Sequence, residues 1–527
     1  MPADSRPLET SFADQLRAVR PALLPAYQEA LPGARAAVLA RLWRSLSFEE
    51  LPGAAGHRLS GPEVRGYDVG APKDEFAVRA DGRRFVHPAE LVGALGLTGG
   101  EGFAAELDHS VASLALSRAN ALPRADESLV AYEQSVVDGH PYHPCCRSRP
   151  GLGVAEQLAF APEHRPVVEL GLVPLPPSAC TVVGDWPDSL RDSRGRLLLP
   201  AHPWQLGEVL PGLGFPAAEG VLRADPLMAL RTLAPVDGGP HVKTALSLRM
   251  TSSVRDISGG SVLASAALSA LLASVTDRLD GRLPVTRNLA AAGARTGADP
   301  GPGPGPGTSG GGRGLSPDLA VLLRESPELY AGPGERVLPL AALTSVRGDP
   351  VAWLGALARL LWPPVLRLLS WGVALEAHGQ NLLLVLDRRD RPVRLVYRDL
   401  ADVRLSPIRL AAIGVHPTGF GGHVLEDDPQ VLRRKLFGSL LGGTLSSLVA
   451  ELGGGVRAVE QELWAVVAEE AREAAGVLVP EDRRALLEQP LPVKALSRMR
   501  LGGQPPGDQW MLLVNPLVAT WSGNRAG

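Results

Sequence analysis

The stretch from Glu376 to Asp399, EAHGQNLLLVLDRRDRPVRLVYRD, holds five groups that could do chemistry together: Glu376, His378, Gln380, Asn381 and Asp399. Leu382–Leu386 is a short apolar run, Arg388–Arg391 before Pro392 reads as a turn, and Val393–Tyr397 alternates. A turn centred near Arg389 and Asp390 sets Asp399 opposite Gln380, so two carboxylates, an imidazole and two amides share one end of a hairpin. Oxygen ligands converging there suit a hard cation carrying substrate phosphates, which points to a magnesium–nucleotide site. The plain alternative is a surface turn with incidental charge, but five polar groups flanking an apolar strand pair are costly to bury idly.

Two further segments could bind anions. In HVKTALSLRMTSSVRDIS, alternation places Lys243, Ala245, Ser247 and Arg249 on one strand face, and Thr251, Ser252, Ser253 and Arg255 follow where the strand ends. Hydroxyls at a strand end with Arg231, Lys243 and Arg255 nearby make an oxyanion receptor, although no GxxxxGK[ST] loop occurs in the chain. The loop EQSVVDGHPYHPCCRSRPG brings His140, His143, Arg147 and Arg149 together as a phosphate loop. Its Cys145 and Cys146 offer a zinc alternative, but adjacent cysteines are poorly spaced for one metal. His202 and Trp204 in LLLPAHPWQ read equally well as packing.

The elements that must position these groups are those of a mixed α+β protein. At 527 residues, two or three domains are expected, and 45% apolar with 21% charged residues is a soluble globular composition. A net charge of −3 gives no reason to expect nucleic acid or a membrane surface as partner. Three cysteines, two of them adjacent, and an N-terminus without an apolar core fit a reducing cytoplasm. Lysine is rare: Lys73, Lys243, Lys435 and Lys494 stand against an arginine-rich background, so each marks a place where an ammonium is required. Residues 11–51 are helical, with Pro21, Pro25 and Pro32 expected to break them into short helices, and residues 104–137 read as helical again. Phe76–Val86 forms a hairpin around Asp81-Gly82. Val351–Val373, interrupted by Arg359, Arg367 and Pro363-Pro364, reads as a buried helix pair and not a membrane span. The run TGADPGPGPGPGTSGGGRGLS over 296–316 is low-complexity, disordered linker in composition. The domains expected are 1–126 (helical), 127–295, and 317–527 beyond that linker.

GHPYHPCCRSRPG, LPAHPWQ, LRTL, KTALSLRMTSSVRDI, EAHGQNLLLV…RDL, KALSRMRL and NPL occur in this order across residues 130–517. Together they resemble the NRPS-independent siderophore (NIS) synthetases, the IucA/IucC or aerobactin-synthetase-like family. The resemblance implies a hand of thumb, fingers and palm, with a kinase-like nucleotide site in the palm and a homodimeric assembly. It also implies a ligase of siderophore biosynthesis that uses ATP and Mg²⁺ to adenylate a carboxylate, citrate or a derivative. An amine, hydroxylamine or alcohol then attacks, giving amide or ester, AMP and pyrophosphate. Carried over by position, Arg231, Lys243, Thr251, Ser252 and Asn381 contact ATP, with His140, His143, Arg147 and Arg149 near its phosphates. Arg255 and His378 serve the reacting centre and, with Thr251, the carboxylate; Glu376, Gln380 and Asp399 surround the metal. The chain departs from the pattern at Ala229, where the family has serine, at Arg147, where it has lysine, and at Leu400-Ala401-Asp402, where glycine is usual after the RD pair. Rival readings are a small-molecule phosphotransferase, lacking the aspartate base a kinase loop needs after its histidine, and a catalytically weakened carboxylate-binding protein.

Overall fold

The computed structural model describes residues 8–69, 76–251, 253–296, 314–421, 424–501 and 507–518. Helices Leu8–Val19, Leu24–Phe48, Pro88–Leu95 and Gly100–Ala119 share one apolar core built on Phe12, Leu16, Leu39, Leu42 and Phe103. Pro32 does not interrupt the second of these, which runs unbroken for 25 residues from Leu24. Burial of its apolar side outweighs the lost hydrogen bond, a cost of about 3 kcal/mol in a helix interior. The hairpin at Asp81-Gly82 forms as expected, pairing Val78 with Phe85, with φ +50° and +82° at the turn. Cys145, Cys146 and Val154 pack into this same core, so it extends past the boundary expected at residue 126.

The middle of the chain is one antiparallel sheet of eight strands. Across it the order is 180–184, 288–295, 315–324, 241–244, 232–235, 221–226, 168–175 and 197–201. Strand Leu315–Arg324 pairs with Asn288–Arg295 on one side and His241–Thr244 on the other. The Gly/Pro run is therefore an insertion between neighbouring strands of one sheet, and the boundary expected at residue 317 moves beyond Arg324. Residues 297–313, expected to be disordered, lie outside the described residues. The strand expected over Lys243–Met250 is also divided: Ala245 breaks it, and Leu246–Met250 folds back on Ser253–Arg255 as a separate ribbon. Lys243 is consequently buried while Arg249 points to solvent, not both on one face.

The C-terminal part surrounds the largest core. A three-stranded sheet of Arg336–Pro339, Leu382–Leu386 and Pro392–Tyr397 is backed by helix Pro350–Ser370. That helix is single, with Pro363 and Pro364 inside it, rather than the pair expected. Three helical stretches, Gly259–Leu279, Pro350–Ser370 and Pro429–Gly453, are long and apolar enough to cross a membrane by length and composition. The latter two have 61% and 67% of their apolar windows buried within the protein.

Candidate active site

The Glu376–Asp399 hairpin has the register read from its sequence. Leu382 pairs with Tyr397, and Arg398 N donates to Asn381 O, which sets Asp399 opposite Gln380. The turn closes because Asp387 accepts the backbone N–H groups of Arg389 and Arg391 at 2.8 and 3.0 Å. Asp399 then leaves the strand in the left-handed region at φ +66°. Its carboxylate, 28% exposed, accepts Lys243 Nζ at 2.9 and 3.2 Å and an Arg324 guanidinium nitrogen at 2.9 Å. Burial would raise its pKa, but Arg324 and Lys243 hold it well below the usual carboxylate range.

Two more arginines enter the same field. Arg231 donates to the carbonyls of Arg255 and Asp256. Arg255 donates to Met250 O at 3.1 Å and Thr251 Oγ1 at 2.8 Å. Burial and the neighbouring cations weaken each charge: Arg231 is lowered to about 10, and Lys243 to about 7 because burial, Arg324 and Arg231 outweigh Asp399. Leu230 and Thr251, beside these cations, hold φ +63° and +53°. A leucine or a β-branched residue in that region is a strained outlier, and such strain gathers at functional sites. Arg324 Nε is buried with no hydrogen-bond partner. The arrangement offers four cations around one carboxylate, a net-positive receptor for a polyanion.

Glu376 lies on the other flank of His378. It accepts Lys494 Nζ at 3.1 Å and Lys435 Nζ at 3.2 Å, and its second oxygen is 3.8 Å from His378 Nε2. Burial opposes ionisation, yet Lys494, His378 and Lys435 together lower Glu376 to about 2. Burial lowers the His378 pKa against the pull of Glu376, which favours the neutral imidazole. Behind the turn, Thr444 Oγ1 donates to Ala377 O at 2.7 Å from a π-wound segment, Leu440–Leu445. Asn381 Nδ2 reaches back to Glu376 O at 3.4 Å. The expected metal ligands do not converge as one cage. Gln380 and Asp399 line a cavity of ≈ 30 Å³ with Asn381, whereas Glu376 is drawn away to its two lysines.

The 140–149 loop is divided by charge. His140 Nδ1 accepts the N–H groups of Tyr142 and His143, and removal of the ring from water lowers its pKa well below the usual value, with His143 and His378 adding to the shift. His143 is buried and lowered to about 3 by burial, then by Arg255. Both rings are thus held as neutral imidazoles. The arginines turn the other way, correcting their expected role as phosphate contacts. Arg149 clasps Glu163 at 2.8 and 3.1 Å, and Arg147 donates to Val136 O and to Val137 O, the latter at 2.7 Å. A buried guanidinium must spend its donors on partners, and Glu163 supplies them. Cys145 and Cys146 are buried thiols in the helical core. His202 caps a helix by accepting Trp204 N, which is packing.

Ser252, expected to touch ATP, lies outside the described residues. Sequence reasoning missed Arg324, whose signal was a lone charge ending the apolar strand LAVLL. It also missed Glu133, which joins the sheet to the hairpin by accepting both Arg398 and Met228 N. The rarity of lysine did mark Lys435 and Lys494, which meet on Glu376.

Residues 128–345 match the model of the IucA / IucC family, and residues 351–507 match that of the ferric iron reductase FhuF-like transporter. The chain is 26% identical over 519 residues to protein y4xN of Sinorhizobium fredii, covering 83% of this chain and 77% of that one. It is 26% identical to the rhizobactin siderophore biosynthesis protein RhbF of Rhizobium meliloti, a match spanning 50% of this chain and 52% of the relative. Among solved structures, the petrobactin biosynthesis protein AsbB of Bacillus anthracis superposes with a TM-score of 0.74 at 20% identity, over 94% of this chain and 97% of that one. ATP-bound aerobactin synthetase IucA of Klebsiella pneumoniae superposes with a TM-score of 0.69 at 20% identity, over 93% and 100%. The mixed helix-and-sheet fold is that of these structures.

Proposed function

We propose that the chain is an ATP-dependent siderophore synthetase of the IucA / IucC family, whose model matches residues 128–345. In this reading it adenylates a carboxylate, citrate or a related polycarboxylate, and condenses it with an amine, hydroxylamine or alcohol. The names of the rhizobactin relative and of ATP-bound IucA support the reading. The observation that carries it is the excess of cations, Arg231, Lys243, Arg255 and Arg324, around Asp399.

The fit to a nucleotide is good: Lys243 is poised near neutrality, and the orphaned Arg324 Nε asks for an acceptor that phosphate oxygens supply. A divalent ion riding on the phosphates would meet Asp399 and Gln380, but Asp399 is already matched by two cations, so no step is assigned to the metal. Arg231, Lys243 and Arg324 would hold the phosphates, while Arg255, Thr251 and His378 orient the substrate carboxylate. A carboxylate oxygen attacks the α-phosphorus and pyrophosphate leaves. The nucleophile then bonds to the acyl carbon, AMP departs with the C–O electron pair, and the nucleophile's proton passes to neutral His378. Lys435 and Lys494 stand where a free carboxylate of a polycarboxylate would be received. No covalent enzyme intermediate is needed, because positioning and charge stabilisation supply the rate. The helical N-terminal part is read as thumb, the eight-stranded sheet as fingers and the remainder as palm, in a cytoplasmic homodimer.

Hydroxylamine trapping across a panel of carboxylic acids, with ATP and Mg²⁺, tests this. Acid-dependent hydroxamate and AMP are expected; ADP as the product would mean phosphotransfer, and no turnover in folded protein would mean a binding role.

A further inference from the structure

The turn that carries Glu376, Ala377 and His378 is met from behind by one helical stretch, and the residues brought there have a spacing that an ordinary helix does not allow. Lys435, on helix Pro429–Ser439, donates to Glu376 Oε1 at 3.2 Å. Thr444, nine positions on, donates to Ala377 O at 2.7 Å. At 3.6 residues per turn each residue rotates a helix by about 100°, so positions nine apart face opposite ways, whereas positions eight apart share one stripe. The π-wound segment Leu440–Leu445 removes the conflict. Its wider turn takes up one extra residue, so Thr444 points as an eighth position would and faces the turn that Lys435 faces. Such turns are rare and gather at functional sites.

The segment is pinned on both sides. A Cβ on Gly438 would meet Pro492 O at 2.8 Å, and one on Gly442 would meet Val493 at 2.7 Å, so strand Leu491–Lys494 lies directly on the helix backbone. The same strand delivers Lys494 to Glu376. Ser446, just past the π turn, accepts the Tyr142 hydroxyl at 2.8 Å, which ties the helix to the loop of His140 and His143. Thr444 is buried, and a helical threonine ordinarily returns its hydroxyl to its own helix. Here the carbonyl of its own helix, Ser439 O, lies at 3.4 Å and Ala377 O at 2.7 Å, so the single hydroxyl proton goes to Ala377. Ala377 is fully buried, and a buried carbonyl needs a donor. Its oxygen and the N–H of His378 belong to one planar peptide, so holding the oxygen fixes the plane from which the His378 side chain departs. Beyond it, Asn381 N and Leu382 N close on His378 O at 2.9 and 3.1 Å.

We infer that Thr444 is a positioning residue: through the Ala377 carbonyl it sets the direction of the His378 imidazole, and the π turn is what places its hydroxyl there. The inference rests on the synthetase reading, in which His378 orients the carboxylate and takes the nucleophile's proton, and adds to it the element that aims that ring. A hydroxyl that only stabilised the helix would leave turnover of the folded protein untouched.

Thr444→Val keeps the side chain's shape and removes its hydroxyl, whereas Thr444→Ser keeps the hydroxyl. Both full-length variants are compared with wild type in hydroxamate formation, using the acid that the wild type accepts, and in amide hydrogen exchange over residues 376–382. Thr444→Val should lower kcat by about 10²-fold, the scale of a misplaced reacting group, with KM for ATP within about twofold of wild type. Thr444→Ser should return kcat to within about fivefold of wild type, the value of one imperfect hydrogen bond. Exchange of the 376–382 amides should quicken in the valine variant alone. A valine variant with wild-type kcat, a loss that serine does not recover, or a KM for ATP that rises as kcat falls overturns the inference. Wild-type protein that forms no hydroxamate with any acid fails the synthetase reading instead. Exchange then decides whether Thr444 fixes the turn: faster exchange in Thr444→Val alone supports it, and equal exchange in all three proteins overturns it.

Discussion

Two cations on one carboxylate occur both at the cleft and away from it, with opposite consequences. Glu163 and Asp482 have fully buried side chains, each matched by two arginines: Arg147 and Arg149 on the first, Arg409 and Arg433 on the second. Spare donors there go to carbonyls, as Arg147 to Val137 O and Arg409 to Leu369 O. Asp399 also has two partners, Lys243 and Arg324, but Arg231 and Arg255 share the field, Arg324 Nε is left without an acceptor, and three nearby residues hold positive φ. Satisfied clusters hold the fold. The unsatisfied one keeps charge and strain unmatched within the protein, which is what the proposed nucleotide site requires.

The comparison breaks most severely if the cleft cations prove structural. Arg255→Ala and His378→Ala should each reduce hydroxamate turnover by about 10³-fold while circular dichroism is unchanged, because both act on developing charge. Near-normal turnover in both variants would remove the site assignment. The reverse is expected at Glu163. Arg149→Ala leaves a buried carboxylate short of one partner, a loss of about 3–5 kcal/mol for a broken buried pair, visible as a lower thermal midpoint. Nucleotide affinity of the folded fraction should stay close to wild type. An unchanged midpoint with collapsed ATP affinity would restore Arg149 to the phosphates.

These two outcomes also mark what the sequence could reveal. The hairpin was legible because a short turn and strict alternation leave one register, so Asp399 opposite Gln380 followed from counting. Lysine scarcity pointed to Lys243, Lys435 and Lys494, all three of which meet site carboxylates. The direction of Arg147 and Arg149 was not legible, since it depends on Glu163, which reaches them only after the chain has turned back through another helix. Arg324 was hidden because its strand joins the sheet after a Gly/Pro run that resembles a boundary. The prolines misled in two helices, Leu24–Phe48 and Pro350–Ser370, where apolar burial overrides local propensity.

A finer contrast concerns protons. Burial, Arg324 and Arg231 lower Lys243 to about 7 in the free protein, so a large part of it is neutral at that pH. Bound phosphates favour the ammonium, so binding above pH 7 takes up a proton and affinity falls as pH rises. The slope should approach about tenfold per pH unit between pH 8 and 9, one proton's worth. Calorimetric ATP titrations across that range check it, and Lys243→Arg should flatten the profile. A flat wild-type profile would mean that Lys243 keeps its proton throughout.

The smallest effect tests how much reserve the cleft retains. Ala229 lines the ≈ 30 Å³ cavity beside Asn381 and Asp399, at the position where the family resemblance leads one to expect serine. Ala229→Ser would place a hydroxyl among Asp399, Arg324 and the incoming nucleotide. A hydrogen bond to a charged acceptor contributes about 1.5–3 kcal/mol at best, and here the new hydroxyl competes with Arg324 for the same acceptor. The expected result is therefore a several-fold tighter ATP affinity with little change in kcat. A tightening beyond about a hundredfold, the full value of an unshared hydrogen bond, would show that the alanine leaves the nucleotide short of a partner. Change within twofold would show that Arg324 and the surrounding amides already saturate it, and that the reserve of unspent donors lies wholly with the cations.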